Sequence, residues 1–354
     1  MRYTDFLAKQ KIDAFLTADE NTMWYFTRFK SSFGYALLTP SETFLLTDAR
    51  YAEGAKKQTE GEVTVLTVNG QTLYPTLENL LKNAKRVGFQ AERTTVQDYQ
   101  DLQSLRKEFV AVDNGVYALS MVKTEKELSY IKTACEIAEG AYQKILPQIT
   151  AGITERALAA KLDYEMQMLG AEGTSFSTIV AFGENSAVPH HVPGERRLKE
   201  NEPVLMDFGA LYQGYASDIT RTVFYGTPNE KFRFAYNAVL GAHTLVAKTL
   251  KSGMGGKEAD AIARNFLQAQ GLGEAFTHSL GHGVGVNIHE YPRLTPTSTE
   301  TLSDGMVFSN EPGVYFAGEF GIRIENTAYL KKGVYHTFMK TDLTLTVITP
   351  QADK

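Results

Sequence analysis

The stretch Asn201–Tyr225, NEPVLMDFGALYQGYASDITRTVFY, decides the fold. It holds two aspartates, Asp207 and Asp218, each inside an otherwise strand-like apolar run: Val204-Leu205-Met206 before the first, Ile219 to Phe224 after the second. Between them, Gly209-Ala-Leu-Tyr-Gln-Gly214-Tyr reads as a hairpin bend, because β-rich runs flank a glycine-containing turn. Carboxylates that point into a core are costly unless paired, protonated or bound to metal. A lone strand aspartate usually faces solvent. Two in one hairpin leave the solvent reading and the core reading open, and the rest of the chain must choose.

At 354 residues the chain exceeds one ordinary core, so two domains are expected. A hydrophobic content of 43% is that of a globular protein, and no apolar run is long enough to cross a bilayer. The N-terminus, MRYTDFLAKQKIDAFL, lacks the apolar core of a signal peptide, which implies a cytoplasmic location. A net charge of -5 without any Lys/Arg block gives no support to nucleic-acid or anionic-membrane partners. The single cysteine, Cys135, excludes an internal disulfide framework and falls on the apolar face of a helical pattern with Leu128, Ile131, Ala138 and Tyr142.

Residues 1–118 alternate short strands (Asp13–Thr17, Tyr35–Leu38, Thr43–Leu46, Val63–Val68, Arg86–Gln90, Phe109–Val112) with short helices, which predicts an N-terminal α/β domain. Its aromatic run Trp24-Tyr25-Phe26 reads mainly as core. The pattern changes around Tyr117–Lys123. Thr124 and Glu127 then form a capping box at the head of a long amphipathic helix, and residues 119–354 read as a second domain.

That second part repeats itself. Helices over 125–146 and 155–168 precede the Asp207/Asp218 hairpin; helices over 230–251 and 257–269 precede another, Gly305 to Leu330, GMVFSNEPGVYFAGEFGIRIENTAYL. Glu311 lies 104 residues after Asp207, and Glu325 lies 107 after Asp218. Such a repeat predicts a pseudo-symmetric α+β domain with two acid-bearing hairpins meeting near the axis. Four carboxylates cannot converge in a dry sheet without cations. Between the hairpins, Gly281-His282-Gly283 offers an imidazole flanked by glycines, which permit close approach. Four carboxylates and one neutral imidazole would be balanced by two divalent ions, and bridging carboxylates suit the short spacing of a two-metal site. Oxygen-rich ligation points to manganese first, with cobalt, iron or catalytic zinc as alternatives. His278 and His282 imitate the histidine spacing of HExxH, but the glutamate is missing and glycine saturates the segment, so that reading is set aside.

The motifs DFGALYQGYASDITRT, GHGVGVNIHE, NEPGVYF and GIRIEN, with FGENSAVPHH upstream, together resemble the pita-bread metallopeptidases, the group of aminopeptidase P and prolidase. The resemblance implies a pita-bread catalytic domain behind an N-terminal domain serving substrate access and dimerisation, and a homodimer. It implies metal ligands Asp207, Asp218, His282, Glu311 and Glu325, with Asp218 and Glu325 bridging two ions, Asp207 on one, and His282 with Glu311 on the other. It places His190 and His289 at the substrate and gives Glu311 and Arg323 catalytic or supporting roles. His289 lies 99 residues after His190, near the repeat, so the two histidines are expected to face each other across the site. The expected reaction is hydrolysis of an Xaa-Pro bond, in dipeptides or at the N-terminus of peptides. Arg293 is a candidate clamp for the carboxylate of a dipeptide, since guanidinium binds carboxylate bidentately. Its alternative is an ordinary surface arginine. Other readings are a methionine-aminopeptidase-like exopeptidase, a creatine-type amidinohydrolase and a non-enzymatic pita-bread binding module. Both of the last two types tend to lack the ligands present here.

Overall fold

The computed structural model describes residues 2–59 and 61–350, which form two compact units, one ending at Ser120 and one beginning at Met121.

The first unit runs α1 (Arg2–Gln10), β1 (Ala14–Thr17), α2 (Glu20–Thr27), β2 (Tyr35–Leu38), β3 (Thr43–Thr47), α3 (Ala49–Gln58), β4 (Thr64–Thr67), α4 (Leu73–Leu80), β5 (Arg86–Phe89), α5 (Val96–Gln103), β6 (Glu108–Ala111) and α6 (Asp113–Met121). Its six strands make one sheet in the order β4-β3-β2-β1-β5-β6. Only the β1–β2 and β2–β3 pairs are antiparallel. The strands fall where the alternating pattern puts them. The aromatic run is a helix, α2, capped by Asp19, and Trp24, Tyr25 and Phe26 are all buried in it. Helix α6 covers the region where the sequence pattern shifts and carries the position expected for the domain boundary.

The second unit opens with α7 (Glu125–Ile145) behind its Thr124/Glu127 capping box, then α8 (Glu155–Met168), β7 (Gly173–Thr174), β8 (Ile179–Phe182), β9 (Glu202–Phe208), β10 (Ala210–Tyr212), β11 (Tyr215–Ala216) and β12 (Ile219–Tyr225). The second half answers with α9 (Glu230–Thr249), α10 (Gly256–Ala269), β13 (Gly281–Gly283), β14 (Glu290–Leu294), β15 (Val307–Asn310), β16 (Gly313–Phe316), β17 (Phe320–Arg323), β18 (Asn326–Lys331), β19 (Val334–Thr337) and β20 (Val347–Ile348). The sheets are β20-β12-β9-β8 and β14-β13-β15-β18-β19. No helix among the described residues is long and apolar enough to cross a membrane.

Each expected hairpin is a long outer pair with a short pair at its tip. Strands β9 and β12 pair through seven residues, from Ile219↔Phe208 to Tyr225↔Glu202, and β10–β11 form the tip. Gln213 and Gly214, between the paired Tyr212 and Tyr215, both have positive φ, which gives the two-residue turn the twist its strands need. In the second half β15 pairs with β18, and β16 with β17. The halves are stitched at their centre. The Glu325 N–H donates to Thr220 O (3.2 Å), and the Thr327 hydroxyl accepts from Asp218 N (3.0 Å) and donates to Asp218 O (2.8 Å). Helices α9 and α10 pack an apolar core that includes Phe232, Val239, Leu267, Phe308 and Ile322, all buried. Each such side chain contributes about 1.5–3 kcal/mol. This rigid backing is what lets a polar cluster persist on the other face.

Candidate active site

The two hairpins deliver their acids to one place because each acid sits at the inner end of an outer strand. Asp207 is the penultimate residue of β9, Asp218 immediately precedes β12, Glu311 follows β15 and Glu325 precedes β18. All four line one cavity of about 800 Å³, with His190, His282, His289, Arg293 and Arg323. The structure therefore brings together every candidate site residue named from the sequence.

At the centre, ligand atoms of Asp218, His282 and Glu325 lie within 4.8 Å of one another. His282 Nε2 is 3.5 Å from Asp218 Oδ2 and 3.3 Å from Glu311 Oε1. Its Nδ1 lies 3.0 Å from Gly283 O. A carbonyl only accepts, so Nδ1 carries the proton and Nε2 is the atom turned toward the acids. The glycines beside His282 make room for neighbouring strands rather than for an ion. A Cβ on Gly281 would lie 2.2 Å from Ser309 O, and one on Gly283 2.2 Å from Tyr291 O. The close approach expected at those glycines is that of neighbouring backbone.

The electrostatics describe a site short of positive charge. Burial, then the charges of Glu325 and Asp207, push the Asp218 carboxyl well above its ordinary range. Glu325 is raised likewise, by burial and then by Glu311 and Asp207. Burial also raises Asp207, against the opposing pull of Arg323. Glu311 differs: burial acts upward, but the hydrogen bond and charge of His282 prevail and hold it at about 2. Asp207 Oδ1 and Glu325 Oε1 are buried without a hydrogen-bond partner among the described residues. Buried acceptors are rarely left so. Orphaned oxygens, mutually repelling carboxylates and an imidazole nitrogen aimed among them, whose proton a cation would displace, make a donor set that fits divalent cations.

One oxygen each of Glu325, Glu311 and Asp207 is held by a donor that fixes the acid in place. Thr220 Oγ1 donates to Glu325 Oε2 (2.6 Å) and Ser309 Oγ to Glu311 Oε1 (2.9 Å). Arg323 donates to Asp207 Oδ2 (2.6 Å), to Tyr315 Oη (2.6 Å) and to Thr220 Oγ1 (3.0 Å). Tyr315 Oη in turn lies 2.8 Å from His278 Nε2, while His278 Nδ1 faces Ser279 O at 2.8 Å. With the carbonyl fixing the proton on Nδ1, the tyrosine donates to Nε2. The chain Asp207–Arg323–Tyr315–His278 thus has every proton assigned. His278 and Tyr315 are the residues sequence reasoning missed. The signal for His278 was its place in GHGVG's upstream run, masked by its false likeness to HExxH; Tyr315 stands inside NEPGVYF, where only Glu311 was singled out.

On the walls, the His289 ring stands edge-on to His282 with centroids 4.3 Å apart. Burial, then His282, lowers its pKa to about 4, so it is neutral at ordinary pH. His190 is exposed to the cavity, and its neighbour His191, also on the wall, lies 2.8 Å from the buried Glu155. Arg293 sits opposite His282 in the β13–β14 pair, stacked 5.3 Å over Tyr291. Among the described residues no carboxylate lies within ion-pair distance of its guanidinium.

A pseudo-symmetric metal-binding hydrolase domain behind an α/β domain is the class that this fold and this site define. The chain belongs to metallopeptidase family M24: the family model matches residues 129–332, and the Creatinase/Prolidase N-terminal domain matches residues 2–122. It is therefore a hydrolase with the two-domain pita-bread architecture, in a family whose chemistry implies divalent metal ions. The Xaa-Pro dipeptidase of Pyrococcus horikoshii is 38% identical over 344 residues, 96% of this chain and 95% of that one. Among solved structures, an Xaa-Pro dipeptidase from Bacillus anthracis has a TM-score of 0.93 at 33% identity and covers 98% of both chains. An X-Pro aminopeptidase from Thermotoga maritima has a TM-score of 0.90 at 35% identity, over 97% of this chain and 100% of that one.

Proposed function

We propose that the chain hydrolyses the bond between an N-terminal residue and proline, as a dipeptidase acting on Xaa-Pro with two divalent ions, manganese first. The observation that carries this reading is the single cavity lined by Asp207, Asp218, His282, Glu311 and Glu325 together with His190, His289 and Arg293. The relatives named above for Xaa-Pro hydrolysis support the substrate class.

In this reading Asp207, Asp218, His282, Glu311 and Glu325 would hold the ions. When bound, such ions supply Lewis acidity that lowers the pKa of water and polarises a carbonyl. Glu311, held ionised, takes the proton of the attacking water as the water oxygen bonds the carbonyl carbon before proline. It then delivers that proton to the proline nitrogen as the C–N bond breaks, leaving a carboxylic acid and a secondary amine. A proline nitrogen carries no N–H, so recognition falls to the ring and the carboxylate. His289, neutral, donates a hydrogen bond to the developing oxyanion without bringing charge, and His190 orients the substrate from the segment between β8 and β9. Arg323 keeps Asp207 in place through its 2.6 Å contact. A homodimer completes the proposal.

Arg293 favours the dipeptidase over the aminopeptidase, because an exposed guanidinium on the cavity wall, free of a carboxylate partner among the described residues, suits the substrate's own carboxylate. The test compares Ala-Pro with Ala-Pro-Ala under Mn²⁺ for the wild type and Arg293→Ala. A charged hydrogen bond contributes roughly 1.5–3 kcal/mol, so the variant should lose about 10–150-fold in kcat/KM on Ala-Pro only. Equal cleavage of both peptides by the wild type would reject the dipeptidase.

A further inference from the structure

The two adjacent histidines Pro189-His190-His191 line the cavity from a strap, residues 183–194, between β8 and β9. This strap has little apolar anchorage. Val188 is 53% exposed and Val192 80% exposed, so burial does not fix its position. Polar bonds hold it instead, Arg323 Nη2 to Pro189 O at 3.5 Å among them, and several converge on one side chain from elsewhere in the fold. Glu155, the first residue of α8, is fully buried. Its Oε1 accepts from Phe182 N and Asn185 Nδ2, both at 2.9 Å. Its Oε2 accepts from His191 Nε2 at 2.8 Å and Gly194 N at 3.1 Å. Four donors, spaced from the last residue of β8 to the end of the strap, converge on a single carboxylate. Two backbone bonds extend the grip, Arg156 N to Gly194 O at 3.0 Å and Glu155 N to Arg196 O at 3.1 Å. On the other side Ser186 Oγ accepts from Gly321 N at 2.8 Å.

A carboxylate only accepts when ionised, so His191 Nε2 spends its proton on Glu155 and the ring cannot also turn that atom to a substrate. His190, one residue earlier, is left as the exposed member of the pair. We propose that Glu155 is a positioning residue for the reaction: through His191 and the strap backbone it sets the height and orientation of His190 in the cavity. The adjacent histidines thereby divide the work, His191 as an internal tether and His190 as the group that meets substrate. This rests on the functional reading above only in giving His190 a substrate to meet.

The test uses the full-length, metal-loaded protein and four variants: Glu155→Gln, His191→Gln, His190→Ala and the double variant Glu155→Gln/His190→Ala. Glutamine at 155 keeps the volume and still accepts at one oxygen, but it turns donors toward His191 and Gly194. His191 is partly exposed, so His191→Gln keeps the experiment decisive should Glu155→Gln fail to fold. Wild-type turnover of Ala-Pro checks the functional reading. The variants are compared with the wild type on whichever peptide it cleaves fastest, so either idea can fail alone. A misplacement of about 1 Å costs on the order of 100-fold. Glu155→Gln and His191→Gln should therefore each lower kcat about 10–100-fold, with metal content unchanged and KM within about twofold. In the His190→Ala background, Glu155→Gln should cost nothing further, because the group it positions is gone. The proposal is overturned if His191→Gln keeps wild-type kcat, or if Glu155→Gln lowers kcat by the same factor with and without His190.

Discussion

His282 shows how much of this site is settled by single atoms. Its Nδ1 faces a backbone carbonyl, so its second nitrogen is committed to the acids before any cation arrives. The acids are unequal for the same local reason. Asp218 and Glu325 crowd each other and are raised, whereas Glu311 has an imidazole beside it and is lowered. Asp218→Ala should abolish metal loading and activity together in a folded protein; elemental analysis showing full metal with normal turnover would refute its role as a metal ligand. Away from the site, His243 is buried and held neutral, its pKa lowered by burial and then by Arg221 to about 3 against an ordinary 6.5. The unfolded chain therefore gains a proton that the folded chain refuses. Stability linked to His243 is complete above about pH 6.5 and falls as pH drops from there toward 3. Replacing it, as His243→Gln, should flatten the fall in melting temperature between pH 7 and pH 5; an unchanged slope would assign the acid sensitivity elsewhere. The type and order of the acids were legible in the sequence. The partners that distinguish Asp218 from Glu311 were not, because His282 lies 29 residues from Glu311 and 64 from Asp218 and reaches them only through sheet pairing.

At the scale of elements, the short segments that carry histidines are held by buried ion chemistry. His289 sits beside Glu290, whose side chain is almost fully buried and bound to Lys123 Nζ at 2.5 Å. Glu290 also accepts from Asn287 N at 3.2 Å and fills the space a Cβ on Gly285 would need. Lys123 immediately precedes the cap of α7, so the start of that helix is tied to the loop bearing His289. Lys123→Met would leave a buried carboxylate unpaired and should cost about 3–5 kcal/mol, read as a lower denaturation midpoint with an unchanged slope. A change below about 1 kcal/mol would show that water reaches Glu290. The helix itself was legible, since Thr124 and Glu127 announce its first turn and the spacing of Leu128, Ile131 and Cys135 its buried face. Lys123 was not, because a lysine before a cap reads as a solvated charge and only packing takes it out of water. The aromatic run in α2 was legible as core but not as helix. Trp24, Tyr25 and Phe26 are consecutive, so they show neither period.

For the second unit as a whole, duplication explains why four acids can coexist. Each half contributes a strand pair bearing two carboxylates, and the sheets meet at Thr220–Glu325 and Asp218–Thr327. Without cations the cluster opposes folding near neutral pH. Raised carboxylates favour the folded state most when protonated, and that preference is lost as pH rises through their folded pKa values. Removing metal with a chelator should therefore lower the melting temperature at neutral pH, and Mn²⁺ should restore it. Cation at about 100 times its dissociation constant adds roughly 2.7 kcal/mol. A melting temperature indifferent to metal would count against any cation between these acids.

The sequence by itself determined the two-part organisation, most helix and strand types, and the duplicated acids at Asp207, Asp218, Glu311 and Glu325. These follow from periodicity and from a repeat, which are properties of the chain read along its length. Tertiary structure alone decided which oxygens are orphaned, that His278 and Tyr315 complete the network at Asp207, and that Glu155 grips the strap of His190. Those relations join residues tens to more than a hundred positions apart. Burial gives them their energy, and burial exists only once the sheets have closed.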